Sequence, residues 1–100
     1  MIAVFFEVEP AEGGLQLYLD HAALLRPQLE AIPGFISVER FQSLTNPGKY
    51  LSLSFFQDED AVARWRTHEG HARAQEAGRG GLFSQYRIRV AGVIRDYAGP

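Results

Sequence analysis

Four apolar, strand-like runs share this 100-residue chain with only two stretches long enough to be helices. A four-stranded sheet built from it therefore has one face covered by helices and the other left apolar. The runs are residues 1–8 (MIAVFFEV), 34–44 (GFISVERFQSL), 49–56 (KYLSLSFF) and 86–97 (YRIRVAGVIRDY), and the helical stretches run from about 11 to 32 and from about 58 to 78. Their order is β-α-β-β-α-β, an α+β arrangement. Exposed apolar patches of more than a few hundred Å² are uncommon on monomers, so the open face predicts a homodimer.

Periodicity supports each element. In the first run Ile2, Val4, Phe6 and Val8 alternate with Ala3, Phe5 and Glu7, the period of two that a strand requires. Both sets are largely apolar, which predicts a central strand covered on both sides. Leu15, Tyr18, Ala22, Leu25, Leu29 and Ile32 then recur at spacings of three and four, one apolar stripe of a helix. Pro27 lies inside that stretch and removes the hydrogen bond to the Ala23 carbonyl, so a kink or break is expected there. Thr45-Asn46-Pro47-Gly48-Lys49 is a set of turn formers between the second and third runs, predicting an antiparallel hairpin. In its second arm Leu51, Leu53 and Phe55 face one way; Tyr50, Ser52, Ser54 and Phe56 face the other, where the small hydroxyls imply space. Asp58-Glu59-Asp60 marks a helix start, with acids placed against free backbone N–H groups. Gly70 is a possible dividing point of the second helix. In the last run Arg87, Arg89 and Arg95 alternate with apolar residues, as on a charged edge strand.

Composition narrows the function classes. A formal net charge of −2 lacks the basic footprint of a general nucleic-acid binder. The absence of cysteine excludes disulfides, thiolate nucleophiles, Fe–S clusters and cysteine zinc sites together. No apolar stretch approaches the roughly 18 to 20 residues of a membrane-spanning helix. The start MIAVFFEVEP has neither the basic beginning nor the cleavage pattern of a signal peptide, so a cytoplasmic location without membrane association is expected. Phosphate loops, dinucleotide glycine fingerprints, Gly-x-Ser-x-Gly elbows and zinc-protease helices are all missing.

Two groups of residues carry candidate chemistry. Trp65, His68 and His71 fall within one helical segment, with the histidines three apart and therefore neighbours. They can offer two imidazoles to a metal or one to a haem iron, or the indole can anchor the helix while the histidines cap it or face water. Phe5, Phe55 and Phe83 belong to the aromatic set available to line an apolar pocket. Glu7, a carboxylate amid MIAVFFEV, lies either at the wet end of its strand or in a site that raises its pKa, as a general base requires.

The segment Gly34-Phe35-Ile36-Ser37-Val38-Glu39-Arg40-Phe41, the stretch from Tyr50 to Phe55, Trp65 with His71, and the tail Tyr86-Arg87-Ile88-Arg89-Val90 follow one another in a familiar order and spacing. Across nearly its whole length the chain resembles the antibiotic biosynthesis monooxygenase superfamily. That resemblance implies a single ferredoxin-like domain over residues 1–100 that pairs into a dimeric α+β barrel. It also implies a monooxygenase acting on a small aromatic or polyphenolic compound with dioxygen, without a metal or bound flavin. Trp65 would then pack the substrate, with His71 or His68 assisting proton transfer and Phe5, Glu7, Phe55 and Phe83 completing the pocket. A haem-degrading subgroup is similar in wording and uses an asparagine on the first strand, a tryptophan on the second helix and a histidine about ten residues later. Only Trp65 matches that set. Gln75 stands at the histidine position and the first strand offers Phe5, Phe6 and Glu7, so haem binding as an alternative rests on His71. A third alternative is a non-catalytic dimeric ligand-binding or stress-related module, because fold does not fix function.

Overall fold

The computed structural model describes residues 1–77 and 83–100, with side chains described throughout these except at 69–77. The elements are β1 (Ile2–Pro10), α1 (Leu15–Glu30), β2 (Phe35–Gln42), β3 (Tyr50–Phe56), α2 (Glu59–Ala77) and β4 (Phe83–Gly92). The strands form one sheet in the order β2-β3-β1-β4, and every neighbouring pair is antiparallel. This is the ferredoxin-like βαββαβ fold. β1 is central, as its two apolar faces predicted, and the arginine-bearing β4 is an edge. No helix among the described residues is long and apolar enough to cross a membrane.

Both helices cover the same face. Val4, Leu29, Phe56, Ala61, Val62 and Trp65 form the main core, and Val8 with Tyr18 forms a second cluster nearer α1. Phe5, Leu51, Leu53 and Phe55 belong to neither cluster. They project from the opposite face, which no helix covers, beside Ile36 and Phe41 at 46% and 43% exposure.

Several boundaries differ from the sequence expectation, each for a local reason. α1 begins at Leu15 rather than near residue 11 because Gly13 takes a positive φ of 74° and the Gly14 N–H closes a turn onto Ala11. The helix passes Pro27 without a break and stops one turn later, at Glu30. α2 runs through Gly70 undivided, started by the Asp58 carboxylate, which accepts the Ala61 N–H at 2.9 Å. β4 lies at 83–92 rather than 86–97. Gly92 already pairs with Ile2, the first residue of β1, so no strand remains beyond it. Ile94 and Tyr97 are consequently exposed.

Two bulges shape the covered face. The β2–β3 register shifts between Phe35 and Ser37, which lets Phe35 and Val38 pack on the same core although they stand three positions apart. A second shift between Glu9 and Pro10, opposite Ser84, brings Phe83 onto the same face as Ile88 and against Phe6 and Tyr18. The Ser84 hydroxyl donates to the Glu9 carbonyl at 3.0 Å and holds that irregularity.

Gly34, in the turn between α1 and β2, lies against α2. Its φ of 92° is left-handed, and a Cβ built there would lie 2.7 Å from the Ala61 Cβ. Its carbonyl accepts the Gln57 N–H at 2.7 Å. Only glycine combines that backbone angle with so close a helix.

Candidate functional site

Between α1 and the sheet lies a cavity of about 290 Å³, near the lower end of the range for small-molecule sites. Val4 and Phe6 of β1 form its floor together with Ser52 and Ser54 of β3, where two short side chains under a helix leave the room that their size predicted. Trp65 closes one side from α2 and Phe83 another from β4, while Tyr18, His21 and Leu29 descend from α1. Trp65 is 8% exposed and belongs to the core as well as the cavity, so its indole is held by packing. Phe83 packs edge-on against both Phe6 and Tyr18, with centroids 5.7 Å apart in each case. The lining is thus mainly apolar and aromatic.

Its ionisable part is one-sided. His21, Arg26 and Arg40 line the cavity and, among the described residues, no aspartate or glutamate does, although the chain as a whole is acidic. Arg26 is paired along α1 with Glu30 at 3.1 Å. Arg40, on β2 opposite Ser52, donates from Nε to the Tyr18 hydroxyl oxygen at 3.1 Å. Its guanidinium carbon also sits 5.3 Å from the Tyr18 ring centroid, within cation–π range.

The sequence candidates divide between the two faces. Trp65 and Phe83 meet at the cavity. His68 stacks on Trp65 at 6.0 Å with 29° between the rings, but it is exposed and does not line the cavity. The side chain of His71 lies outside the described residues. Phe5, Glu7 and Phe55 project from the open face, because β1 and β3 residues alternate and it is Val4, Phe6, Ser52 and Ser54 that face α1. Placing them with the pocket residues is corrected by that alternation.

Glu7 is not a raised-pKa base. Its carboxylate is held below its ordinary value of 4.5 chiefly by the hydrogen-bonded Lys49 ammonium, with Arg89 and Arg87 adding to the effect against partial desolvation. The contacts are 3.1 Å to Lys49 and 3.2 Å to Arg89. A depressed folded-state pKa contributes stability above the unfolded value and loses it as pH falls through the folded one. Glu7→Gln is therefore expected to be less stable than the parent at about pH 7 and to converge with it below pH 4.5. Urea unfolding of both proteins at two pH values reads this directly; an undiminished gap in acid would assign the loss to something other than the ion pairs.

Tyr18, His21 and Arg40 were not among the sequence candidates. Tyr18 was visible as a member of the α1 stripe, but a phenol at an apolar position signals core as readily as site. For Arg40 the available signal was parity. It shares the inward side of β2 with Val38, opposite the two serines of β3.

Among the described residues, Val4 and Phe6 face the cavity from the first strand and offer no side-chain hydrogen bond, and the exposed His68 lies against Trp65 rather than in the cavity. Nor do three or more histidine, aspartate or glutamate side chains gather as a metal site among the described residues.

A one-sided helical layer on a four-stranded antiparallel sheet, with an aromatic cavity between them, defines the ferredoxin-like class of α+β domains. The profile of the antibiotic biosynthesis monooxygenase family matches residues 1–77, and the chain belongs to that family. Jasmonate monooxygenase ABM from Pyricularia oryzae is 47% identical over 93 residues, which is 93% of this chain and 43% of that protein. The Bacillus subtilis protein YqjZ is 36% identical over 64 residues, 64% of this chain and 54% of its own. The chain thus spans about half the length of the curated relatives it matches. The solved structure of Rv0793 from Mycobacterium tuberculosis shares the fold, with a TM-score of 0.81 at 16% identity over 97% of this chain and 98% of that one.

Proposed function

We propose that this domain is a monooxygenase that transfers one oxygen atom from dioxygen to a small, ring-containing, largely apolar substrate, and that it acts as a homodimer joined through the open sheet face. The observation that carries the reading is the aromatic cavity under α1, walled by Trp65, Phe6 and Phe83. Two substrate classes suit it. Aromatic or polyphenolic compounds match the ring-rich lining. The similarity to a jasmonate monooxygenase over most of this chain adds jasmonates, which are also ring compounds with an apolar body and few oxygens.

Such a substrate can act as its own reductant when it carries a CH2 activated by a neighbouring carbonyl or ring. Loss of a proton gives an anion able to pass an electron to dioxygen. The radicals then combine, and the hydroperoxide loses water. The sum is CH2 + O2 → C=O + H2O, with four electrons leaving carbon and reducing dioxygen. A dry pocket with a proton acceptor suffices for this. Among the described residues His21 is the imidazole that lines the cavity, and it takes that role here, with His68 and His71 as the further candidates.

Oxygen uptake with a panel of quinols and jasmonates tests the proposal. At least one compound is expected to consume dioxygen and to gain one labelled oxygen atom from labelled gas. His21→Ala is expected to slow turnover about a hundredfold or more, whereas His68→Ala and His71→Ala are expected to have smaller effects. A flat electrode trace across the panel would leave the non-catalytic binding module.

A further inference from the structure

We propose that Arg40 and Tyr18 together anchor the carboxylate of a small apolar acid, whose body extends along the cavity toward Trp65. The inference rests on the monooxygenase reading and deepens it by naming the substrate class.

Three features of the cavity point the same way. First, its ionisable lining is wholly basic among the described residues, so an anion entering it meets no carboxylate. A cation would meet only like charge, and a neutral ligand would gain less from the arginines than an anion does.

Second, Arg40 is the arginine whose charge is unspent. Arg26 faces the Glu30 carboxylate at 3.1 Å, whereas among the described residues Arg40 has no carboxylate within 4.0 Å. Its one hydrogen bond there is to a neutral phenol. A guanidinium has five N–H donors in a fixed fork. Nε–H is taken by Tyr18, and the terminal amino groups remain for a ligand.

Third, the phenol is itself half used. Tyr18 is 4% exposed, and its oxygen accepts from Arg40. Its own O–H hydrogen has no protein acceptor among the described residues. A carboxylate placed beside this pair accepts from both, and the bond from Arg40 is also an ion pair. Buried hydroxyls are ordinarily satisfied, and a ligand oxygen supplies the missing acceptor.

The remaining geometry fits an acid with an apolar tail. Arg40 lies on edge strand β2 and is exposed, so it stands at the rim, while Val4, Leu29 and the indole lie deeper and are buried. Head at the rim and body inside leaves the reacting carbon beside Trp65.

The test uses the emission of Trp65, the single tryptophan of the chain, in anaerobic titrations so that binding is read apart from turnover. Jasmonic acid, its methyl ester and a neutral quinol of similar size are the probes. The acid is expected to bind at least about tenfold more tightly than its ester, as suits a charge-assisted hydrogen bond near solvent, and more weakly as salt is added. Arg40→Met is expected to abolish that ratio by weakening acid binding more than ester binding. Tyr18→Phe is expected to reduce it, and Arg40→Lys to restore part of it. An equal affinity of acid and ester in the parent protein, or a ratio that survives Arg40→Met, would overturn the proposal. So would the absence of any saturable binding by the acid. Oxygen uptake with the neutral quinol reports separately on the monooxygenase reading, so either can fail alone.

Discussion

Gly34→Ala is expected to lower the thermal midpoint by about 10–25 °C. Two penalties combine at this position. An L-residue held in the left-handed region costs roughly 1–2 kcal/mol. The new methyl must also displace Ala61, whose Cβ would be 2.7 Å away on a helix face that is fully buried, and crowding of a packed core costs about 1–3 kcal/mol. Gly13→Ala provides the comparison. It shares the positive φ, at 74°, but has nothing within 4 Å of the added carbon, so only the first penalty applies. Thermal melts of the two variants followed by circular dichroism separate the contributions. If both fall by the same amount, α2 yields at no cost and the close approach at Gly34 does not hold β2 to the helix.

In the proposed homodimer, replacing Leu53 with aspartate is expected to shift the assembly to monomer at micromolar concentration. Leu53 stands near the middle of the open face, paired in register with Phe5 on one side and Glu39 on the other. In a two-fold interface each substitution is present twice. A central apolar contact is worth about 2 kcal/mol, so the dissociation constant is expected to rise about a thousandfold. The side chain faces away from the cavity and from both core clusters, so the monomer should keep its far-ultraviolet spectrum. Light scattering on a sizing column distinguishes the states. A parent protein that already elutes as a monomer would remove the assembly from the proposal.

Element order and the contrast between the sheet faces were legible because period-two and helical spacing survive in Ile2–Val8, Leu51–Phe56 and the α1 stripe. So was the space over Ser52 and Ser54. Assignment of aromatic residues to a face was not. Phe5 and Phe6 are adjacent phenylalanines on opposite faces, and composition alone cannot say which face a helix will cover. The two bulges compound this. They change parity at Ile36 and Ser84, and a bulge depends on pairing between distant strands rather than on local sequence. Phe83 and Gln85, outside the sequence-defined strand, became part of β4 for the same reason. Trp65 was recognisable because a lone indole on an apolar helical stripe must be packed. Arg40 was passed over because a strand arginine ordinarily signals solvent.

Since β3 alternates serine with large apolar residues from Leu51 to Phe55, a slip of one position in its pairing would fill the chamber beneath α1 with leucine and phenylalanine and hand the serines to the bare side. Ligand capacity and self-association would vanish in one event. Insertions or deletions within β3 should therefore be tolerated far less well than in the 45–49 turn, where added residues leave the alternation of the arms intact.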